Sequence, residues 1–80
     1  MQPILCMEIT QAFGQTLYQL RKKAGLTQEE LADLSGHHTT YISLIERGRR
    51  KPTIPILFDL AMGLRITPHQ FIKLVEDKLQ

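Results

Sequence analysis

Apolar residues recur along this chain at the intervals of an α-helix rather than in the strict alternation of a strand. In the first such segment they follow one another at spacings of four, three and four: Phe13, Leu17, Leu20 and Ala24. One helical face carries all four, and the glycine directly after them, Gly25, is typical of a C-terminal cap. The pattern predicts a first helix from about Thr10 to Lys23.

Capping and turn residues predict two short helices after the first. Thr27 and Glu30 have the spacing of a capping box, in which each side chain bonds the backbone N–H of the other residue. A second helix therefore runs from Gln28 to about Ser35, with three apolar side chains that we expect to be buried: Leu31, Ala32 and Leu34. A third helix spans roughly Thr39 to Arg47 and ends at Gly48.

Two further helices complete the predicted architecture. Thr53 is a good N-cap with a proline in the turn after it. The fourth helix then has a stripe for burial: Leu57, Leu60, Ala61 and Leu64. Thr67 and Gln70 repeat the capping-box spacing, with Pro68 at the first helical position, so a fifth helix runs to about Lys78. We predict an all-α protein of five helices.

The second and third predicted helices have the proportions of a helix-turn-helix, over residues 28–47. They are about eight and nine residues long and are joined by a turn of about three residues that contains glycine. Ala32 is small where such helices cross closely. At about 100° per residue, Ile42 and Ile45 lie together on the inner face of the third helix. The outer face carries Thr39, Thr40, Ser43, Leu44 and Arg47.

This outer face is suited to the major groove of double-stranded DNA. Hydroxyls can donate to or accept from base edges, and methyl groups can pack on thymine. The candidate base-contacting residues are Thr39, Thr40, Ser43 and Leu44. Gln28 is the main candidate for phosphate, because the N-terminus of a helix favours an anion. The other candidate phosphate contacts are His38, Tyr41, Arg47, Arg49, Arg50 and Lys51.

Length and charge narrow the class of protein. The chain has 80 residues, of which 42% are hydrophobic and 22% charged. We therefore expect one domain over residues 1–80, and we exclude an enzyme with separate cofactor and substrate domains. The formal net charge is only +2. Basic residues nevertheless cluster on both sides of the predicted helix-turn-helix, at residues 21–23 and 47–51, with acidic residues between the clusters.

Glu46 is out of place in this basic surrounding. A carboxylate in the last turn of a helix opposes the helix dipole and repels phosphate. We therefore predict a cationic partner, Arg21 from the end of the first helix, in a structural ion pair that fixes the third helix.

The sequence lacks the residue patterns of an enzyme. It has no phosphate-binding glycine loop, and no base stands at a recognisable spacing from Cys6 or a serine. Cys6 is the only cysteine, and His37 and His38 are adjacent and point differently, so we expect no metal site. We also expect no cofactor. No leader or apolar segment of about 20 residues is evident, so we expect a cytoplasmic protein with no membrane partner.

Three stretches resemble the Cro/repressor class of helix-turn-helix regulators, the XRE family. They are residues 20–21, residues 25–32 (GLTQEELA) and residues 41–48 (YISLIERG), with Pro52 beyond. The likeness spans about residues 11–75 and is greatest to the controller proteins of restriction–modification systems. It implies a compact, five-helix, lambda-repressor-like DNA-binding domain that is usually a dimer on a two-fold operator.

The resemblance also implies roles for individual residues. In similar repressors the first residue of the second helix contacts phosphate, which corresponds to Gln28. The start of the third, recognition helix reads bases, which corresponds to Thr39 and Thr40, with a DNA contact at Ser43 one turn later. An arginine–glutamate pair is typical of such domains, in agreement with the ion pair predicted above.

The sequence departs from the family pattern at several positions. His37 stands where a buried aliphatic residue is usual. His38 occupies the N-cap position of the third helix, so we expect Thr39 to provide the cap instead. Leu44 replaces a polar base-reading residue, and Arg65 replaces the glycine that usually follows the fourth helix.

Apolar residues of the fifth helix predict a second copy of the chain as a partner. At about 100° per residue they cover an arc of about 160°, more than one small core uses: Phe71, Ile72, Leu74, Val75 and Leu79. We assign Phe71, Leu74 and Val75 to a dimer interface. A two-fold dimer would place two recognition helices about 34 Å apart, over a near-palindromic operator.

The sequence thus predicts a sequence-specific, DNA-binding transcriptional regulator that acts as a homodimer, as the autoregulating controller of a restriction–modification operon. RNA polymerase is a further candidate partner. Two alternatives remain open. One is an antitoxin-type protein that binds a toxin and regulates its own operon, and the other is a phage-type repressor.

Overall fold

The computed structural model describes residues 8–80, and within them the chain forms five helices and no strand. Their bounds are α1 Ile9–Lys23, α2 Gln28–Ser35, α3 Thr39–Glu46, α4 Ile54–Leu64 and α5 Pro68–Lys78. The predicted all-α architecture is confirmed, and each helix begins and ends within about a residue of its predicted bounds. Cys6 lies outside the described residues.

Local hydrogen bonds explain where the helices begin and end. After α1, the N–H of Leu26 donates to Arg21 O at 3.1 Å and the N–H of Gly25 donates to Lys22 O at 3.0 Å. This pattern is a Schellman motif, which the positive φ of Gly25, 74°, makes possible. Both predicted capping boxes, before α2 and α5, are present.

The N-terminus of α3 differs from the prediction. Thr39 is the first helical residue and does not cap the helix; His38 holds the N-cap position with extended backbone and without a side-chain hydrogen bond. The reason is the tight turn before it, where Gly36 adopts a left-handed φ of 77° and the N–H of His37 donates to Ala32 O at 3.0 Å. Because of this turn, His38 is the last residue before the helix and occupies the N-cap position.

One core holds the five helices together. Helix α1 packs against α3 and α5, α2 packs against α3 and α4, and α4 packs against α5. The Phe13 and Phe71 rings stack across the α1–α5 contact with centroids 4.6 Å apart. The rest of the core comes from all five helices: Ala12, Leu17, Leu31, Ala32, Ile42, Ile45, Leu57, Leu60, Leu64 and Val75. The predicted stripe of α4 is buried in full.

Leu34 is exposed, so its predicted burial is wrong. Helix α2 turns Leu31, Ala32 and Ser35 inward, and Leu34 lies roughly 100° away from the centre of that face at the helical repeat. The small Ser35 is preferred inside because it packs beside Gly63 of α4, where two helical backbones come close.

Two of the three residues assigned to a dimer interface are also corrected. Phe71 is 0% exposed and Val75 is 3% exposed, because both fill the space that α5 covers over the core. Neither side chain can reach a second copy. Leu74, and Ile72 beside it, remain exposed.

Candidate nucleic-acid interface

Helices α2 and α3 present one polar surface around a fixed crossing. Ile42 and Ile45 are fully buried, which anchors the inner face of α3 as predicted. Thr40 and Arg47 are exposed on the predicted outer face, and its other members are partly exposed: Thr39, Ser43 and Leu44. Tyr41, a candidate phosphate contact, is partly exposed as well. The structure therefore leaves the candidate base-contacting residues accessible on one side of one helix.

A groove of about 540 Å³ lies beside the N-terminus of α3. Its walls are the basic end of α1, with Lys22, the N-terminus of α2, with Gln28 and Glu29, and Thr39 at the start of α3. Helix N-termini carry unsatisfied N–H groups and the positive end of the helix dipole. The groove thus combines two helix N-termini with lysine, an arrangement that suits an anion such as a backbone phosphate.

The buried ion pair beneath this groove has the two predicted partners. Arg21 Nε donates to Glu46 Oε2 at 2.6 Å, and Nη2 donates to Oε1 at 3.0 Å. Only 8% of the arginine side chain and 5% of the glutamate side chain are exposed. Arg21 Nη1 also donates to Leu26 O at 2.8 Å. The bridge ties the end of α1 to the end of α3 in bidentate geometry.

The Glu46 carboxylate also accepts a hydrogen bond from Gln28, and the sequence did not predict this bond. Gln28 Nε2 donates to Glu46 Oε1 at 2.9 Å. The side chain predicted to grip a phosphate is therefore oriented by Glu46. No local signal could have revealed this bond, because the two residues are 18 positions apart.

The charge on Arg21 is protected by its surroundings. The hydrogen bonds that Arg21 donates to Glu46 raise the pKa of Arg21, and the Glu46 charge raises it further, while burial acts in the opposite direction. The guanidinium carbon also lies 5.4 Å from the centre of the Tyr18 ring, within cation–π range. Arg21 is thus a permanent cation in the buried pair.

The basic segment after α3 is exposed and partly ordered by the helix. Arg47 Nε donates to Ser43 O at 3.4 Å. The N–H of Arg49 donates to Leu44 O at 2.9 Å, around Gly48 with a φ of 72°. Arg50 places its guanidinium carbon 5.1 Å from the centre of the Tyr41 ring. The predicted phosphate contacts therefore surround both ends of the exposed face of α3.

The departure at His37 has a structural explanation. Its ring lies between the turn and α4, where Nε2 donates to Asp59 Oδ2 at 2.9 Å. The position that an aliphatic residue usually fills is thus polar here because α4 supplies a carboxylate. The two residues are 22 positions apart, so the sequence alone does not pair them.

Gly14 is a further residue that sequence reasoning missed. A Cβ at this position would lie 2.3 Å from Ile45 O and 2.9 Å from Glu46 O. Only glycine allows α1 to approach the last turn of α3 this closely. A glycine in the middle of an apolar helical pattern costs about 1 kcal/mol relative to alanine. This unfavourable residue is the feature of the sequence that could have indicated close helix packing at Gly14.

Residues 8–80 contain no group of three or more His, Cys, Asp or Glu side chains arranged to hold a metal ion. Within the same residues, no helix is both long enough and apolar enough to span a membrane.

Comparison with known proteins agrees with the geometry of α2 and α3. The helix-turn-helix family matches residues 17–71. The HTH-type transcriptional regulator y4dJ of Sinorhizobium fredii is 41% identical over 61 residues, which are 76% of this chain and 79% of that protein. The control protein C.SmaI of Serratia marcescens is 38% identical over 61 residues, 76% of this chain and 73% of that protein.

A solved structure has the same arrangement of helices. The restriction–modification controller protein C.AhdI from Aeromonas hydrophila superposes with a TM-score of 0.75 at 40% identity. The match covers 78% of this chain and 94% of that one.

Proposed function

This chain belongs to the helix-turn-helix family of DNA-binding transcriptional regulators, and we propose that it binds a near-palindromic operator as a homodimer and controls a restriction–modification operon. The observation that carries the proposal is the exposed polar face of α3, held by the buried Arg21–Glu46 bridge beside the groove at the N-terminus of α2. The named relatives C.SmaI and C.AhdI, both controller proteins, support the choice of operon.

In the proposed complex, α3 lies in the major groove and α2 faces the backbone. Thr39 and Thr40 at the start of α3 read base edges, with Ser43 and Leu44 one turn later. The groove around Gln28 and Lys22 takes one phosphate. The basic residues around the end of α3 contact further phosphates, together with His38 and Tyr41: Arg47, Arg49, Arg50 and Lys51.

The protein works without catalysis or a cofactor in this proposal. Its action is to occupy DNA in the cytoplasm, where RNA polymerase is the partner whose access or recruitment it changes. Two-fold symmetry would let one dimer read both halves of the operator, with recognition helices about 34 Å apart.

Two substitutions should separate the reading of bases from the contact with phosphates. Thr40→Ala should cost about 1–3 kcal/mol on the preferred operator and relax the preference at one base position in each half-site. Arg50→Ala should weaken binding to all duplexes and reduce the slope of log affinity against log salt by about two, because each protomer of the dimer loses one phosphate contact. Titration of a selected operator and a scrambled duplex at several salt concentrations measures both effects.

Lys73→Ala is the matched control for Arg50→Ala. It also removes one exposed positive charge, but from α5, where Lys73 pairs with Asp77. The slope should stay unchanged in this variant. Equal affinity of the unaltered protein for operator and scrambled DNA would contradict the proposed function.

The exposed face of α4 is the surface that we propose for the second copy. Asp59 is the only charged residue of α4, and three large apolar side chains lie one turn apart on its outer side: Ile54, Phe58 and Met62, at 66%, 56% and 66% exposure. A helix that is apolar all round is normally buried. Ile72 of α5 lines the same groove as Ile54 and extends the apolar surface.

Phe58→Asp should convert the dimer into monomers. Burying a carboxylate at the centre of an interface should weaken association by about 2 kcal/mol or more, roughly thirtyfold. Sedimentation at micromolar concentration measures the change. Leu74→Asp is the comparison, because Leu74 lies in a different groove, against α1. If Leu74→Asp dissociates the dimer and Phe58→Asp does not, the interface is on α5 as first predicted.

A further inference from the structure

Three contacts in series connect α4 to the basic segment that follows α3. His37 Nε2 donates to Asp59 Oδ2 at 2.9 Å. The His37 ring lies against the Tyr41 ring, with centroids 5.7 Å apart and planes tilted by 43°. The Arg50 guanidinium carbon then lies 5.1 Å from the centre of the Tyr41 ring. A carboxylate on α4 is thus linked to a cation on the exposed side of the molecule.

The burial of these groups changes along the series. The His37 side chain is 20% exposed, so the hydrogen bond to Asp59 sets its orientation between the helices. Tyr41 is partly exposed, and Arg50 is exposed. The Tyr41 ring, which packs against His37, therefore provides a surface for the flexible Arg50 guanidinium. An arginine over an aromatic face loses part of its motion before it meets any ligand.

We infer that His37 and Asp59 are positioning residues, which hold the Tyr41 ring so that it presents the Arg50 guanidinium to a DNA phosphate. This role rests on the proposed function. A planar guanidinium can make two parallel hydrogen bonds to a phosphate when its orientation is set in advance. Prior ordering also lowers the entropy lost on binding. The face of the Tyr41 ring supports Arg50, and its hydroxyl is the group that we assign to a phosphate contact of its own.

The sharpest test compares Asp59→Asn with Asp59→Ala. Both variants remove the same charge, so their general effect on DNA attraction is equal, but only asparagine keeps an oxygen that accepts from His37. We expect the asparagine variant to bind DNA about fivefold more tightly than the alanine variant, since ordering one long side chain has an effect of that size. The probe is a duplex enriched from a random library by the unaltered protein.

The dependence on Arg50 distinguishes positioning from a purely structural role. In a Tyr41→Phe/Arg50→Ala background, which keeps the aromatic ring but removes its hydroxyl and the guanidinium, the difference between the asparagine and alanine variants should disappear. In a Tyr41→Phe/Arg49→Ala background, which also lacks that hydroxyl and one exposed cation, it should persist. A loss of fold stability in Asp59→Ala would weaken binding in both backgrounds, and a difference that persists without Arg50 would overturn the inference.

A second measurement needs no DNA. Nuclear magnetic relaxation of the Arg50 Nε–Hε group reports how ordered the guanidinium is in the free protein. Asp59→Ala should make this group more mobile and Asp59→Asn should not. Unchanged mobility in Asp59→Ala overturns the inference even if the proposed function stands. If the unaltered protein enriches no duplex, the proposed function fails, and the role assigned to the stack fails with it.

Discussion

Replacing Gly14 by alanine should lower the free energy of unfolding by about 3 kcal/mol, at the upper end of the range for overpacking. The added methyl group would lie 2.3 Å from Ile45 O and 2.9 Å from Glu46 O. Both atoms belong to the backbone, so no side-chain rotation can make room. Helix α1 and the last turn of α3 must move apart, and the buried Arg21–Glu46 bridge spans this same contact.

The sign of this effect is opposite to that of helix propensity. Alanine is favoured over glycine inside a helix by about 1 kcal/mol. A glycine-to-alanine substitution would therefore stabilise the protein at a helical position that does not approach another backbone closely. The expected loss is a large part of the roughly 8 kcal/mol that a domain of this size can have. At about 4–8 °C per kcal/mol for such a domain, thermal unfolding should shift down by about 15 °C.

Gly63→Ala is the matched control, because it is also a glycine inside a helix that faces another helix. Its Cβ would meet Leu31 Cδ1 at 3.1 Å, the end of a side chain that can shift by a few tenths of an ångström. We expect a change of less than about 1 kcal/mol, since the gain in propensity offsets the crowding. A Gly14→Ala protein as stable as the Gly63→Ala protein would contradict the proposed helix contact.

The helices and their ends could be predicted from the sequence because the relevant signals are local. The threonine caps at Thr27, Thr53 and Thr67 act within three residues of themselves. The Arg21–Glu46 pair was also predictable, because a carboxylate in the last turn of a helix in a basic surrounding requires a cation. In each case the argument needed only the residue's own helix and its charge.

The remaining features depend on distances between helices, which a pattern along one helix does not contain. Periodicity gave the apolar arc of α5, but the placement of α1 and α4 determines that Phe71 and Val75 face the core. Likewise, the contact of His37 with Asp59 exists because the turn before α3 lies on α4.

Glu46→Gln should lower the free energy of unfolding by about 3 kcal/mol, because it leaves the buried Arg21 cation without its counter-charge. The carboxylate accepts from Arg21 twice and from Gln28 once, and the glutamine amide cannot accept at both positions. Urea or thermal unfolding measures the loss. Release of Gln28 at the N-terminus of α2 should also weaken binding to DNA.

The pH dependence of this effect follows from the raised pKa of Arg21. A cation whose pKa is higher in the folded state stabilises the fold at every pH below its unfolded value, and that stabilisation is lost only as the pH rises through the folded pKa. Both the ordinary pKa of arginine and the raised pKa of Arg21 lie far above neutral pH, so the difference between Glu46→Gln and the unaltered protein should be the same at neutral and at moderately alkaline pH.

Removal of both partners tests whether the bridge stabilises the fold or fixes its geometry. A double variant, Arg21→Met with Glu46→Leu, removes both buried charges, and such replacements are often neutral or stabilising. We therefore expect the double variant to have a higher free energy of unfolding than Glu46→Gln. It should still bind DNA more weakly than the unaltered protein, because Gln28 has no partner to orient it. Full operator affinity in the double variant would mean that α3 and Gln28 keep their positions without the bridge. Unchanged stability and unchanged operator affinity in Glu46→Gln would contradict the role assigned to the ion pair.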